Sequence, residues 1–191
     1  MTTTPTPTTV RNGIDVDQLL ETIAATEADA AVGTFTFRAS SSWQDGTHNT
    51  GRIHRFTHGG EEDTTRPGPF VLEGDEPQIL LGDDHGPNAV ELVLQALGFC
   101  YAVGYVANAA AQGIEISRMD YEVEGDLDVR TFLGQPGERA GLTQVRVTGT
   151  VASPNATDEQ LTALCQYVQD TSPVRDILAN PVPVETSLRI A

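Results

Sequence analysis

The sequence contains no lysine: all 11 basic residues are arginine, and they face 27 aspartates and glutamates for a formal charge of −16. So acidic a surface repels phosphate backbones and anionic headgroups, which excludes nucleic acid and membrane surfaces as partners. Carboxylates in excess with lysine missing are the pattern of a halophilic protein, whose self-repulsion is screened by concentrated salt. An arginine-preferring genome is the other reading of the same composition. Cysteine is almost as scarce, and two in 191 residues make no disulfide framework. The opening MTTTPTPTTVRNG lacks the ordered basic, apolar and cleavage regions of a secretory signal, so a cytoplasmic location is expected. Also lacking are a phosphate-cradling Gly-rich loop, a dinucleotide fingerprint and a Gly-x-Ser-x-Gly elbow, and no cofactor is expected.

What is present suits one sizeable core. The expected organisation is a disordered Thr/Pro-rich tail over residues 1–13 and a single domain over 14–191. The run from 89 to 111 approaches membrane-spanning length, but it is rich in alanine, carries Glu91, Gln95 and Asn108, and has no basic flanks. It reads as a buried central helix that starts near Asn88 and stops at Gly113.

Around it, Asp15 caps a helix to about Ala28 with Leu19, Leu20 and Ile23 on one face, a lid or docking helix. GTFTFRASSSW, QDG and GRIHRFTH read as an antiparallel strand pair, followed by a loop over 59–68. IEISRMDYEVEGDLDV and TQVRVTGTVAS form a second strand group. Asp158 opens a helix with Leu161, Leu164, Cys165 and Val168 on one stripe, Pro173 starts a short second one, and VPVETSLRI reads as a closing strand. The fold class is α+β, with antiparallel sheets around the central helix. One sheet cannot cover an apolar helix on all sides, so a second copy of the chain is expected.

Within that helix the stretch ELVLQALGFC closes on Cys100, either a small hydrophobe filling core space or a nucleophile at the edge of a pocket. Ala96, Gly104 and Ala107 lie on its side of the helix and leave room for a pocket. Cys165 falls on an apolar stripe, which favours packing, and Ser172 caps the helix that Pro173 starts. Glu91 suits a first-turn carboxylate facing the helix dipole. His54 and His58 are four apart on a strand, roughly 13 Å from each other, too far for one metal ion. His85, in GDDHGPN, reads as a loop residue facing solvent or a pocket mouth. No metal site is expected.

DEPQILLGDDHGPNAVELVLQALGFCYAVGYVANAAAQGIEI, continuing through EGDLDVRTFLGQPGERAG to SPVRDILANPVPVE, resembles the OsmC/Ohr family of thiol-dependent hydroperoxide reductases over about residues 33–190. The resemblance implies an OsmC-like intertwined homodimer with active sites at the subunit interface, acting on organic hydroperoxides. It implies that Cys100 is the peroxidatic cysteine and that an arginine stabilises its thiolate, Arg38 first, then Arg52 and Arg55. The family's resolving cysteine precedes a proline, where this chain has Ser172. On one helix Cys165 stands roughly 10 Å from that position, which makes it a doubtful substitute. An external thiol is therefore expected as reductant. The family's carboxylate falls on Val90, and Glu91, nine residues before Cys100, lies about 180° round the helix from it, so only the partner subunit's Glu91 is placed to approach. The alternative keeps the fold without the chemistry: a binding module for an apolar ligand or partner.

Overall fold

A computed structural model describes residues 8–191. Strands Val10–Arg11 (β1) and Ile14–Asp15 (β2) make a small hairpin. Its turn is Asn12-Gly13, with φ of 52° and 77°, the left-handed backbone that a two-residue turn requires and these residues tolerate. Arg11 Nη1 donates to the Ala110 carbonyl (3.0 Å), and Asn12 Nδ2 to that of Ile114 (2.9 Å). The expected tail over 1–13 therefore needs correcting. Residues 1–7 lie outside the described residues, while pairing begins at Val10 because the Asn-Gly turn and the two side-chain bonds give the segment partners.

Contacts gather the chain into two compact units. Among the described residues, one comprises Asp15–Val93 with residues 8–10, the other Arg11–Ile14 with Leu94–Ala191.

In the first unit, helix Val16–Ala28 (α1) starts where Asp15 accepts the Gln18 N–H at 3.0 Å. Only Val16 of this helix is buried, and Leu20 and Ile23 face outward. Strands Phe35–Asp45 (β3) and His48–His58 (β4) pair antiparallel across a turn at Gly46, whose φ is 50°. Glu61–Asp63 (β5) and Phe70–Gly74 (β6) also pair with β4. The expected loop over 59–68 thus contains a strand: acidic residues with little β preference are drawn into the ladder by the open edge of β4. Phe35, Phe37 and Trp43 on β3 remain exposed.

Helix Ala89–Ala111 (α2) begins in the first unit and continues in the second. Asn88 Oδ1 accepts the Glu91 N–H (2.9 Å) and Glu91 Oε2 accepts the Asn88 N–H (2.8 Å), so the two residues close a reciprocal cap. The helix ends at Gly113, with φ of 79°, where the Ile114 N–H reaches back to the Ala109 carbonyl.

In the second unit, Arg118–Asp126 (β7) and Gln144–Ala152 (β8) form an antiparallel pair that turns Met119, Tyr121, Val123, Val145, Val147 and Val151 toward the core. Helix Asp158–Thr171 (α3) starts on a Thr157–Gln160 capping box, and helix Pro173–Ala179 (α4) on Ser172. Leu97, Tyr101, Tyr105 and Ala109 of α2 pack with Ile114 and with Leu164 and Val168 of α3. Tyr105 Oη donates to the Leu161 carbonyl at 2.8 Å, which satisfies the one polar atom of an otherwise apolar contact.

One expectation is corrected here. Residues 181–191 hold no regular structure: the run carries Pro181 and Pro183, and among the described residues no strand pairs with it. The central helix is covered on one side only. By length and composition α2 is apolar enough to cross a membrane, yet Tyr105 and Ala109 sit at 1% and 0% exposure in the core, while Phe99 and Val103 are 65% and 70% exposed.

Candidate active site

Cys100 is half-buried midway along α2. A Cβ built on Gly104, one turn further on, would lie 3.2 Å from Val168, so the missing side chain at this position lets α3 approach α2 closely. That approach carries the end of α3 to the cysteine. Ser172 closes α3 and caps α4, and its Oγ stands 3.1 Å from Cys100 Sγ. Ser172 is buried at 5% exposure, and its Oγ accepts the Arg175 N–H at 3.2 Å.

Cys165 lies two turns before Ser172 and is also half-buried. Gln169 Nε2 approaches its sulfur at 3.5 Å and donates to its carbonyl at 3.3 Å. Both thiols are free, and Cys165 packs against the core. Of the two positions considered for a resolving group, the one in contact with Cys100 is the serine.

Arg175 escaped the sequence reading. Its Nη1 donates to the Gln169 carbonyl at 3.4 Å, and its charge opposes the burial that pushes the Tyr101 hydroxyl above its ordinary value. It is thus a guanidinium supplied by the cysteine's own unit, three residues after Ser172 in SPVR. Only the packing of α3 and α4 against α2 exposes this relation.

The remaining candidates lie in the first unit. Arg38, exposed on β3, donates through Nη2 to Thr57 Oγ1 (2.8 Å). Arg55 pairs with Glu62 at 2.6 Å, and Arg52 is exposed on β4. Glu91 is held in the cap of α2, the role its first-turn position suggests. His54 meets the Arg66 carbonyl (3.3 Å) and His58 that of Val32 (2.7 Å), so each ring has its own backbone partner. Among the described residues no group of three or more His, Cys, Asp or Glu is placed to hold a metal ion.

A second polar cluster went unforeseen. Asp75 is buried at 4% exposure and accepts from Thr47 Oγ1, from His85 Nδ1 (2.7 Å) and from the backbone of Glu76, Asp83 and His85. Those bonds, the Thr47 hydroxyl first, hold its carboxyl far below the usual range despite burial. His85 stacks on His48, with ring centroids 4.4 Å apart, and His48 pairs with Glu73 at 2.8 Å. Beside the cluster lies a cavity of about 320 Å³, lined by Thr47, Asn49, Leu72, Glu73, Asp75 and Leu92 among others.

With this geometry in place, the family described as OsmC-like protein matches residues 82–187, more than half of the chain. The chain belongs to the OsmC-like protein family. Solved structures share the fold. An OsmC-like protein from Mycoplasma pneumoniae superposes with a TM-score of 0.59 at 16% identity, over 76% of this chain and 89% of that one. An OsmC-like protein of unknown function from Vibrio cholerae O1 biovar eltor gives 0.57 at 12% identity, over 74% and 92%. An organic hydroperoxide resistance protein OsmC from Legionella pneumophila gives 0.50 at 16% identity, over 75% and 88%. A comparison with curated proteins gives no match. In this OsmC-like protein Glu91, Cys100, Cys165, Ser172 and Arg175 fall inside the matched segment and Arg38 falls outside it.

Proposed function

We propose that this OsmC-like protein reduces organic hydroperoxides through Cys100, with an external thiol as reductant. The observation that carries the proposal is the contact between Cys100 and Ser172: the sulfur is half-buried beside a polar hydroxyl rather than sealed among hydrocarbon. The likeness to a protein named for organic hydroperoxide resistance supports the substrate class. In the proposed cycle the Cys100 thiolate attacks the outer peroxide oxygen. The O–O bond breaks, an S–O bond forms, and the alkoxide takes a proton to leave as the alcohol. One external thiol then displaces water from the sulfenic acid to give a mixed disulfide. A second releases the Cys100 thiolate as it forms its own disulfide, so two thiols supply the two electrons. Arg38 is proposed to serve the thiolate, with Arg175 as the guanidinium of the cysteine's own unit.

A homodimer belongs to this proposal, supported by the bare face of α2 at Phe99 and Val103, which a second copy would cover. Two free cysteines suit a reducing, cytoplasmic setting. Steady-state consumption of cumene hydroperoxide with monothiol and lipoyl reductants tests the reading: Cys100→Ser should abolish it, and retained turnover would refute it. The second reading, a binding module without chemistry, is favoured by one observation, the commitment of Glu91 to the helix cap. An inert Cys100 in that same assay, with the fold intact, would support it.

A further inference from the structure

We propose that Ser172 is a positioning residue for Cys100: its hydroxyl proton points at the sulfur and holds it in place for reaction. The proposal rests on the reading of Cys100 as the reacting group and adds a residue to it. A serine hydroxyl offers one proton and two lone pairs. In Ser172 a lone pair is used by the Arg175 N–H, which approaches at 3.2 Å as α4 begins, and that bond fixes the oxygen as an acceptor on the helix side. The proton must therefore go elsewhere. At 5% exposure water is excluded as its ordinary partner, and the polar atom within reach, among the described residues, is Cys100 Sγ at 3.1 Å. The capping bond leaves the hydroxyl one proton and one lone pair, and toward a thiolate only the proton can bond.

That direction has a chemical consequence. A neutral thiol is a weak acceptor, whereas a thiolate is a charged one, so an O–H donor aimed at sulfur bonds most strongly to the form that attacks. The same hydroxyl cannot form a disulfide. Cys100 thereby gains a donor that activates it and loses the neighbour that would close an internal S–S bond. An oxidised Cys100 stays open to a thiol from outside.

The test is performed on the full chain in a Cys165→Ala background, so that Cys100 alone reacts. Ser172→Gly removes the hydroxyl while costing the α4 cap only slightly, and Ser172→Thr keeps both cap and proton. Iodoacetamide alkylation followed across pH should be about tenfold slower near neutrality in the glycine variant, the scale of one lost hydrogen bond to a charged group. The rate should recover in the threonine variant. Ser172→Ala gives the same comparison if the glycine variant does not fold. Identical profiles for the parent and the hydroxyl-free variants would overturn the proposal. Because alkylation needs no peroxide, a shifted profile without peroxide turnover leaves Ser172 in place and removes the peroxidase reading; turnover without a shift does the reverse.

Discussion

His48 and His85 stack face to face at 4.4 Å, each with its own carboxylate: Glu73 for the first and buried Asp75 for the second. The hydrogen bond to Asp75 raises the His85 pKa above its ordinary 6.5, against desolvation and with help from the charges of Asp75, Asp83 and Glu73. The bonds from Thr47 and His85 lower that of Asp75 below 3.8. The two signs differ. The His85 contribution to stability is complete below its ordinary value and is lost as pH rises through the raised one. The Asp75 contribution is complete above its ordinary value and is lost as pH falls through the lowered one.

The segment from Asp75 to Asn88 should accordingly be held best between about pH 4 and pH 6.5 and loosen above that window. Amide exchange of these residues at pH 6 and pH 8.5, corrected for intrinsic rates, checks this. His85→Gln should flatten the difference, which also separates it from the general effect of net charge.

Ser172→Cys should create an internal disulfide with Cys100. The two side-chain atoms already stand 3.1 Å apart, and the longer C–S bond with a small rotation brings two sulfurs toward the roughly 2.05 Å of an S–S bond. Intact mass after one equivalent of peroxide should show the loss of two hydrogens. Reduction should then depend on dithiols rather than on monothiols. Cys165, whose sulfur faces Gln169, should remain a free thiol.

Charge predicts the response to salt. Arg146 binds Asp126 and Glu124, and Arg130 binds Asp128, yet 11 arginines cannot offset 27 acidic residues. Molar salt cuts the screening length from about 10 Å to about 3 Å and should remove most of the repulsion. The unfolding midpoint should rise steadily from 0.1 M to 2 M KCl. Equal stability at both ends would assign the missing lysine to codon preference.

Much of the framework was legible because helix ends carry local chemistry. Asp15, Gly113 and the Ser172-Pro173 pair all mark the boundaries they suggested, and Glu91 occupies the first turn it fits. The alternating runs behind β3, β4, β7 and β8 were equally plain. Strands whose partner decides them were not. β5 and β6 are short and become strands by pairing with β4, whereas residues 181–191 alternate well and have no ladder to join.

At the candidate site the sequence marked Cys100 and the serine in place of a second thiol. It did not reveal that these two side chains touch, since a separation of 72 residues is closed only by the packing of α3 on α2. Asp75 was invisible for a similar reason: nothing local marks a loop aspartate as buried until the turn around it directs three backbone N–H groups inward.

The central claim is tested most directly by one equivalent of cumene hydroperoxide added to the reduced protein in the presence of dimedone. Peptide mass spectrometry should find the sulfenic acid adduct on Cys100, with one equivalent of cumyl alcohol released. An unmodified Cys100 with the peroxide intact, or an adduct confined to Cys165, would contradict it.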